Sequence, residues 1–500
     1  MTYTRATVEF NSQKSRQYIY DDETGFIFPW NVHRENALKS LSGIISESRH
    51  KSPRQQYAQK YVKHWIDHYG AFYRKTANPD DIGEPSVDEL RDYFYSKAST
   101  LVLNITESCN FRCKYCVYSD QYPLSKKGRT RHMPPSLAIR AVDFFANILN
   151  SQKQRNPIKR FGISFFGGEP LLNHRAIELV LEHAHNRYPG LFFFSLSTNG
   201  SLLEPDILKT LVKYDVKLAI SIDGPQEEHD RSRVDIKGQG TYLKIVSNLK
   251  YIKTAYPDYW RNNLFSIPIF DYYTDIQRTA DFFYDNDSVV PRPLFVSPVS
   301  QRNTKYYSNI KEETLEKFNV RINRITADYR KSLINGYKVS PYLRILIGGK
   351  ILKIMLRSKL NDKRPAFLPY TFACVPGERM AIQTDGTIDM CERVNGRYPI
   401  GNIITGIDFY QIRSIINQYA NSLFRRCIVC PITKLCSKCF QSAETISGFS
   451  VSNIECQEEI AAVKSALSDY VSVLIEKPEA ALSVHNDFQQ HLEVFRNINC

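Results

Sequence analysis

Residues 101–118 read LVLNITESCNFRCKYCVY. Leu101–Thr106 is a short run rich in apolar and β-branched residues, the pattern of a strand. It leads straight into a loop with cysteines at 109, 113 and 116. Three thiolates so close in the chain can hold three irons of a [4Fe–4S] cube, which four cysteines normally hold. The fourth iron is then open to an external ligand, such as the amine and carboxylate of an amino acid. Zinc with a distant fourth ligand, or three buried thiols, are the other readings of the same residues.

The pattern repeats outward from this stretch. Ser136–Asn150 reads as a helix with Ala138, Ala141, Val142 and Phe145 on one face. Phe161–Phe166 is the next strand, followed by Gly167-Gly168-Glu169-Pro170. Asn173 is placed to cap a helix that buries Ile177, Val180, Leu181 and Ala184. Further strands are expected at Phe192–Ser197, Val216–Ile220, Leu264–Ile269 and Pro293–Val296. Helices at Pro205–Val212, Thr241–Ile252 and Thr274–Phe283 alternate with them. Repeated β/α units imply an α/β fold with a parallel sheet, and about six of them a partial TIM-type barrel, (β/α)6. Active sites of such barrels lie at the C-terminal ends of the strands, where the cysteine loop and the Gly-Gly-Glu loop fall.

With Tyr115 before its last cysteine, the C-x3-C-x2-C loop after a strand resembles the radical S-adenosylmethionine (SAM) superfamily. That resemblance implies a [4Fe–4S] cluster on Cys109, Cys113 and Cys116, whose open iron binds SAM. It implies hydrogen abstraction from substrate by a 5′-deoxyadenosyl radical; the cofactor carries the chemistry and the protein positions it. The SAM contacts implied are Gly167, Gly168, Glu169 and Pro170, then Ser197, Thr198 and Asn199 at the end of the following strand. Ser221 and Asp223 follow at the end of the next. His229-Asp230-Arg231 is similar to the family's HD-x-x-R stretch, with Arg233 as a second basic residue. Arg231 or Arg233 is a candidate partner for the SAM carboxylate. The other reading of these residues is loop capping and surface ion pairing.

Eight of the eleven cysteines lie beyond residue 373, and residues 1–108 and 117–373 otherwise hold none. Met380–Cys391 reads as a hairpin turning at Asp385-Gly386. Cys374, Cys391, Cys427, Cys430, Cys436, Cys439 and Cys456 together resemble the SPASM extension of radical SAM enzymes, which carries auxiliary [4Fe–4S] clusters. By order, Cys374, Cys391 and Cys439 would ligate one such cluster, and Cys427, Cys430, Cys436 and Cys456 a second. Cys436 and Cys439 are two residues apart where the family has three, so the assignment of that pair is the less secure. C-x2-C pairs also suit zinc. Cys500 fits no motif.

The expected divisions are 1–98, 99–340, 341–370 and 371–500. The first is a small α+β, winged-helix-like domain with a hairpin at 16–28 around Asp21–Gly25. It is similar to the peptide-recognition domains of ribosomal-peptide maturases, which bind a leader as an added strand. Tyr57, Tyr61, His64, His68 and Phe72 recur near helical spacing and read as core. The second division is the radical SAM core, the third a bridge, and the fourth the cysteine-rich iron–sulfur domain with a helical tail.

The chain has 500 residues, 42% of them hydrophobic, and a formal charge of +14 spread along its length. No apolar run approaches the roughly 18 residues of a membrane span, and the N-terminus has no signal-peptide core. A cytoplasmic enzyme is expected, with no membrane or nucleic-acid partner. The resemblance implies a radical SAM oxidoreductase acting on a leader-bearing precursor peptide, with a low-potential donor such as flavodoxin or ferredoxin. The favoured product is a cysteine thioether. Carbon–carbon crosslinking, epimerisation and sulfatase-maturing formylglycine formation are the alternatives within this chemistry. A zinc-bearing nucleic-acid-binding protein is the alternative outside it. Glu392, next to Cys391, is the candidate base.

Overall fold

The structure is a computed structural model. It describes all residues except 1–2, 43, 45, 47–50, 76–83, 125–129, 157–158, 287–288, 293, 361–367, 369–373, 395, 487 and 489–500, so Cys500 lies outside the described residues. Two compact units are each assembled from discontinuous stretches. One comprises 1–85, 349–374 and 416–485; the other comprises 86–348, 375–415 and 486–500.

The second unit is built on a nine-stranded sheet. Five strands, Thr100–Thr106, Phe161–Gly167, Phe192–Thr198, Lys217–Ile220 and Leu264–Ser266, lie side by side in sequence order. Every neighbouring pair is parallel. All seven residues of Thr100–Thr106 are buried, as a parallel strand covered on both faces requires. Crossover helices include Pro135–Ile148, His174–Arg187, Pro205–Lys213 and Tyr242–Ala255. The fold is α/β with a parallel central sheet, as expected.

Three details differ from expectation. The strand expected over Leu264–Ile269 breaks at Pro268, which has no N–H to give a ladder. Its second half, Ile269–Phe270, pairs in parallel with Ser297–Pro298 in a separate two-stranded sheet. The sixth strand, expected at 293–296, is therefore displaced; Leu294 only bridges Ser266, and residue 293 is outside the described residues. Asn173 stands at the start of His174–Arg187, but its side chain does not cap the helix. Its Nδ2 donates instead to the carbonyls of Ile105 and Met133 (2.9 and 3.0 Å), tying the helix start to the first core strand.

The hairpin at 380–391 forms, with strands Arg379–Ile382 and Thr387–Asp389 turning through Gly386 at φ +87°. Arg379–Ile382 then pairs in parallel with Thr100–Thr106, Met380 opposite Leu101, and so extends the core sheet on that edge.

In the first unit, Thr7–Asn11, Gln17–Asp21 and Ile27–Pro29 form an antiparallel sheet. One set of its side chains, Ile19 and Phe28, packs with Trp30, Leu38, Val62 and Phe72 around helices Val32–Leu41 and Pro53–Tyr69. The other set, Val8, Phe10 and Tyr20, packs against Ile432, Leu435, Val463 and Leu467. The last two belong to helix Asn453–Glu476. The aromatic stripe read as core is largely outside it. Tyr57, His64 and His68 are exposed and Tyr61 is half-buried; only Phe72 is buried. The helix buries Ala58 and Val62 instead.

Candidate active site

The first core strand delivers the cysteine loop. Cys109, Cys113 and Cys116 are each half-buried, and backbone N–H groups of Phe111 and Tyr118 point at the sulfurs of Cys109 and Cys116 (3.4 and 3.5 Å). Burial raises the Cys109 thiol to about 12 and the Cys113 thiol to about 11, the latter against the pull of the Arg233 charge. Burial also raises Cys116. Such thiols give up their protons to a bound metal, not to water at neutral pH.

The Gly-Gly-Glu loop leans on this cysteine loop. The N–H groups of Gly168 and Glu169 donate to the carbonyls of Thr106 and Ser108 (2.9 and 2.8 Å). Gly167 has φ +134°, and a Cβ there would stand 2.1 Å from the Thr106 carbonyl oxygen; at Gly168 it would stand 2.2 Å from that of Ser108. The two glycines thus let one loop's backbone close on the other's. Pro170 opens the short turn Pro170–Asn173 that follows.

Glu169 is a bracket between loops. It is 1% exposed. Its carboxylate accepts the Thr198 hydroxyl (2.8 Å), the Asn199 N–H (2.7 Å) and the Leu171 N–H (3.2 Å). Burial raises it to about 7, the three hydrogen bonds opposing. The Asn199 side chain donates to Asn110 Oδ1 (2.8 Å), Asn110 donates to Ser201 Oγ (2.9 Å), and Ser201 donates back to Asn199 Oδ1 (2.7 Å). This ring pins the strand exit to the cysteine loop. Sequence reasoning missed Asn110 and Ser201; position alone, inside the motif or next to it, could have flagged them. Ser197 and Ser221 are half-buried, and their hydroxyls have no hydrogen-bond partner among the described residues.

The arginines are engaged with protein carboxylates. Arg233 Nε donates to Asp223 Oδ2 (2.9 Å), Asp223 also accepts the Tyr115 hydroxyl, and the guanidinium lies 5.4 Å from the Tyr115 ring centroid. Asp223 Oδ1 accepts the Ile269 N–H (3.0 Å). The pair is buried, and together with Tyr115 it locks the motif's aromatic residue beside Cys113. Arg231 holds Asp271 with both nitrogens (2.8 and 2.9 Å). Buried His229 accepts the Asp223 N–H at Nδ1 (3.4 Å), while its Nε2 faces the Thr241 hydroxyl (3.1 Å). Burial lowers its pKa to about 4.

Glu392 sits where the sequence placed it, one residue past Cys391. Its ion pair is with Arg379 (3.1 Å), not with the neighbouring Arg393 considered from sequence. Burial, the largest influence, would raise its pKa; the Arg379 charge, a backbone hydrogen bond and the Arg393 charge together outweigh it and lower the pKa below the usual carboxylate value. The Cys391 sulfur lies 3.5 Å from Glu392 Oε2 and accepts the Arg393 N–H (3.4 Å).

In the other unit, Cys427 ends the helix Phe409–Cys427. Cys427, Cys430, Cys436 and Cys456 line one cavity of about 260 Å³, with Arg425, Arg426 and Lys438 around it. These are the four residues grouped from sequence as the second auxiliary set. Burial pushes the Cys436 thiol up to about 12. Cys439 does not line this cavity; it starts the short helix Phe440–Ala443. Cys374 is exposed. The space is thus walled by four thiols with cationic side chains beside it, the donor type and countercharge that an anionic iron–sulfur cube would call for. Among the described residues no His, Cys, Asp or Glu group is gathered closely enough to hold a single metal ion.

Residues 103–283 match the Radical SAM superfamily. The chain is similar to the radical SAM cyclopropyl synthase TigE of Paramaledivibacter caminithermalis, 26% identical over 68% of this chain and 67% of that protein. It is similar to the cysteine-type anaerobic sulfatase-maturating enzyme of Clostridium perfringens, 23% identical over 68% of this chain and 87% of that one. Among solved structures it resembles native anSMEcpe with bound AdoMet and Cp18Cys peptide. The TM-score is 0.55 at 18% identity, covering 77% of this chain and 99% of that chain.

Proposed function

We propose that this chain, whose residues 103–283 match the Radical SAM superfamily, is a peptide maturase. It installs a crosslink in a ribosomally made precursor peptide, with a cysteine thioether as the favoured product. Bound at Cys109, Cys113 and Cys116, a [4Fe–4S] cluster with SAM supplies the hydrogen-abstracting 5′-deoxyadenosyl radical. The chain's own residues hold and shape that site. Gly167–Glu169 and Thr198-Asn199 form the wall beside the cysteine loop. Ser197 and Ser221 offer hydroxyls to the SAM ribose or amine. Tyr115, Asp223 and Arg233 fix the loop from below, and Arg233 puts a cation beside Cys113. Glu392 is held ionised by the Arg379 and Arg393 charges and a backbone hydrogen bond acting against its burial, in the protonation state a base requires.

The observation that carries the maturase reading is the cavity walled by Cys427, Cys430, Cys436 and Cys456. Loaded with a cluster, it would be a second metal site on the chain, which would support oxidative chemistry on a substrate beyond SAM cleavage. The peptide as substrate class is supported by the solved relative that holds both AdoMet and a peptide. Carbon–carbon bond formation is the second reading. It is favoured by the similarity to a cyclopropyl synthase, since a cyclopropyl ring is closed through carbon.

The test is co-expression with the product of a small open reading frame beside the gene, followed by mass spectrometry and thiol alkylation. A thioether removes two hydrogen atoms and one alkylatable cysteine. A carbon–carbon link removes two hydrogens and leaves every thiol reactive. Unchanged mass would contradict both readings.

A further inference from the structure

The turn between the second and third N-terminal strands, Asp21–Gly25, is built to hold something. Asp21 Oδ2 accepts the N–H and hydroxyl of Thr24 (2.9 and 2.6 Å), and its Oδ1 accepts the Phe72 N–H (2.9 Å). Gly25 has φ +70°, and a Cβ there would stand 2.0 Å from the Ser358 carbonyl oxygen. The next carboxylate, Asp22, is fully buried. Its Oδ2 accepts the Thr433 hydroxyl (2.5 Å), and its Oδ1 accepts the Lys434 N–H (2.9 Å) and the Tyr20 hydroxyl (3.2 Å). The Lys434 ammonium donates to the Glu23 carbonyl. Ile432 and Leu435, on either side of this pair, are buried against Val8, Phe10 and Tyr20. Residues 431–435 are the whole link between Cys430 and Cys436. On the far side of Cys436, Ser437 donates to Glu459 (2.6 Å).

We propose that Asp22 is a positioning residue of the C-terminal cysteine site. It fixes the 431–435 link, and through it the separation of the Cys430 and Cys436 thiols. The inference rests on the reading that Cys427, Cys430, Cys436 and Cys456 hold a metal. A cube bonds each thiolate to a different iron, so the ligands must be held apart at fixed spacing, and a loose five-residue link does not do this unaided. Asp22 anchors that link from 411 residues away. The N-terminal sheet lines no part of the cavity; on this account it buttresses the metal site through the 431–435 link and is not a detachable module. Deleting residues 1–98 then removes metal-site support together with any leader-binding surface, so that truncation does not isolate peptide recognition.

The experiment uses full-length, anaerobically reconstituted protein and the Asp22→Asn and Thr433→Val variants, which break the same contact from opposite sides. Iron and zinc per chain are measured, then the rate of metal release to a chelator, with the Cys109 loop's cluster as internal reference. A buried hydrogen bond left unmade accelerates release from the C-terminal site by about tenfold. Release from the Cys109 loop stays at the parental rate, and the double variant is no faster than the single ones. The reduced C-terminal cluster's low-temperature resonance signal shifts in both variants. Parental release rates and an unshifted signal in both variants would overturn the positioning role while leaving the metal site standing. A parent chain that carries metal only at the Cys109 loop would overturn the auxiliary-site reading and this inference with it.

Discussion

The carboxylate of Glu169 accepts the backbone N–H of Asn199 at 2.7 Å, joining the loop after the second core strand to the loop after the third. Every partner of this carboxylate is a donor. In Glu169→Gln one acceptor oxygen becomes an NH2 that faces a donor, which costs about 1–3 kcal/mol. SAM affinity is expected to fall about tenfold or more, with secondary structure by circular dichroism unchanged. Equilibrium dialysis with SAM checks this. Parental affinity would show that the bracket does not shape the SAM wall.

Arg233 and Asp223 form a buried pair at 2.9 Å. Removing one member leaves the other's charge uncompensated, at about 3–5 kcal/mol. Arg233→Ala is expected to lose about that much in denaturant unfolding of the second unit. Arg233→Lys keeps the cation beside Cys113 but not the planar group over Tyr115, and should fall between the two. Equal stability of all three proteins would show that the pair is not a strut of the cysteine loop.

Glu392 faces Arg379 and the Cys391 sulfur. If it serves as base, Glu392→Gln should still release 5′-deoxyadenosine but yield less than about one tenth of the peptide product. Full turnover by this variant would remove Glu392 from the reaction.

The surroundings of His229 and of Asp21 should respond oppositely to mild acid. His229 is held neutral by burial, with its pKa lowered to about 4. The unfolded chain takes up a proton near pH 6.5 that the folded one refuses. Its contribution is full above pH 6.5 and is lost as pH falls towards 4, about 3 kcal/mol in all. Asp21 is raised to about 6 by burial, against the hydrogen bonds from Thr24 and Phe72. Its contribution is full below about 3.8 and is lost as pH rises through 6. Hydrogen exchange at pH 7 and 5, corrected for the intrinsic exchange rate, resolves the two regions. Protection around His229 should fall at pH 5, and protection around Asp21 should rise. His229→Gln should flatten the first trend and Asp21→Asn the second.

What was legible in the sequence was local. Leu101–Thr106 announces a strand through its apolar and β-branched residues, and the cysteine spacing that follows is chemistry within one loop. The Gly-Gly-Glu and Thr198-Asn199 stretches were found by position at strand ends, but not that they bond to each other. Long-range pairing was invisible. Nothing in RMAI at 379–382 says that it joins Thr100–Thr106, and nothing in DDETG at 21–25 says that it meets Thr433. The aromatic stripe on Pro53–Tyr69 misled because ring size was taken for burial, whereas the close packing of that helix needs its small face, Ala58 and Val62. The split at Pro268 was legible in principle, since a proline inside a strand pattern demotes it.

The central claim is radical SAM chemistry at the Cys109, Cys113 and Cys116 loop. Its most direct test is reductant-dependent conversion of SAM to 5′-deoxyadenosine by the anaerobically reconstituted chain, beside the Cys109/Cys113/Cys116→Ala variant. The account predicts 5′-deoxyadenosine from the parent, none from the variant, and a loss of about four irons per chain between them. No 5′-deoxyadenosine from an iron-loaded parent, or equal yields from both proteins, would contradict it.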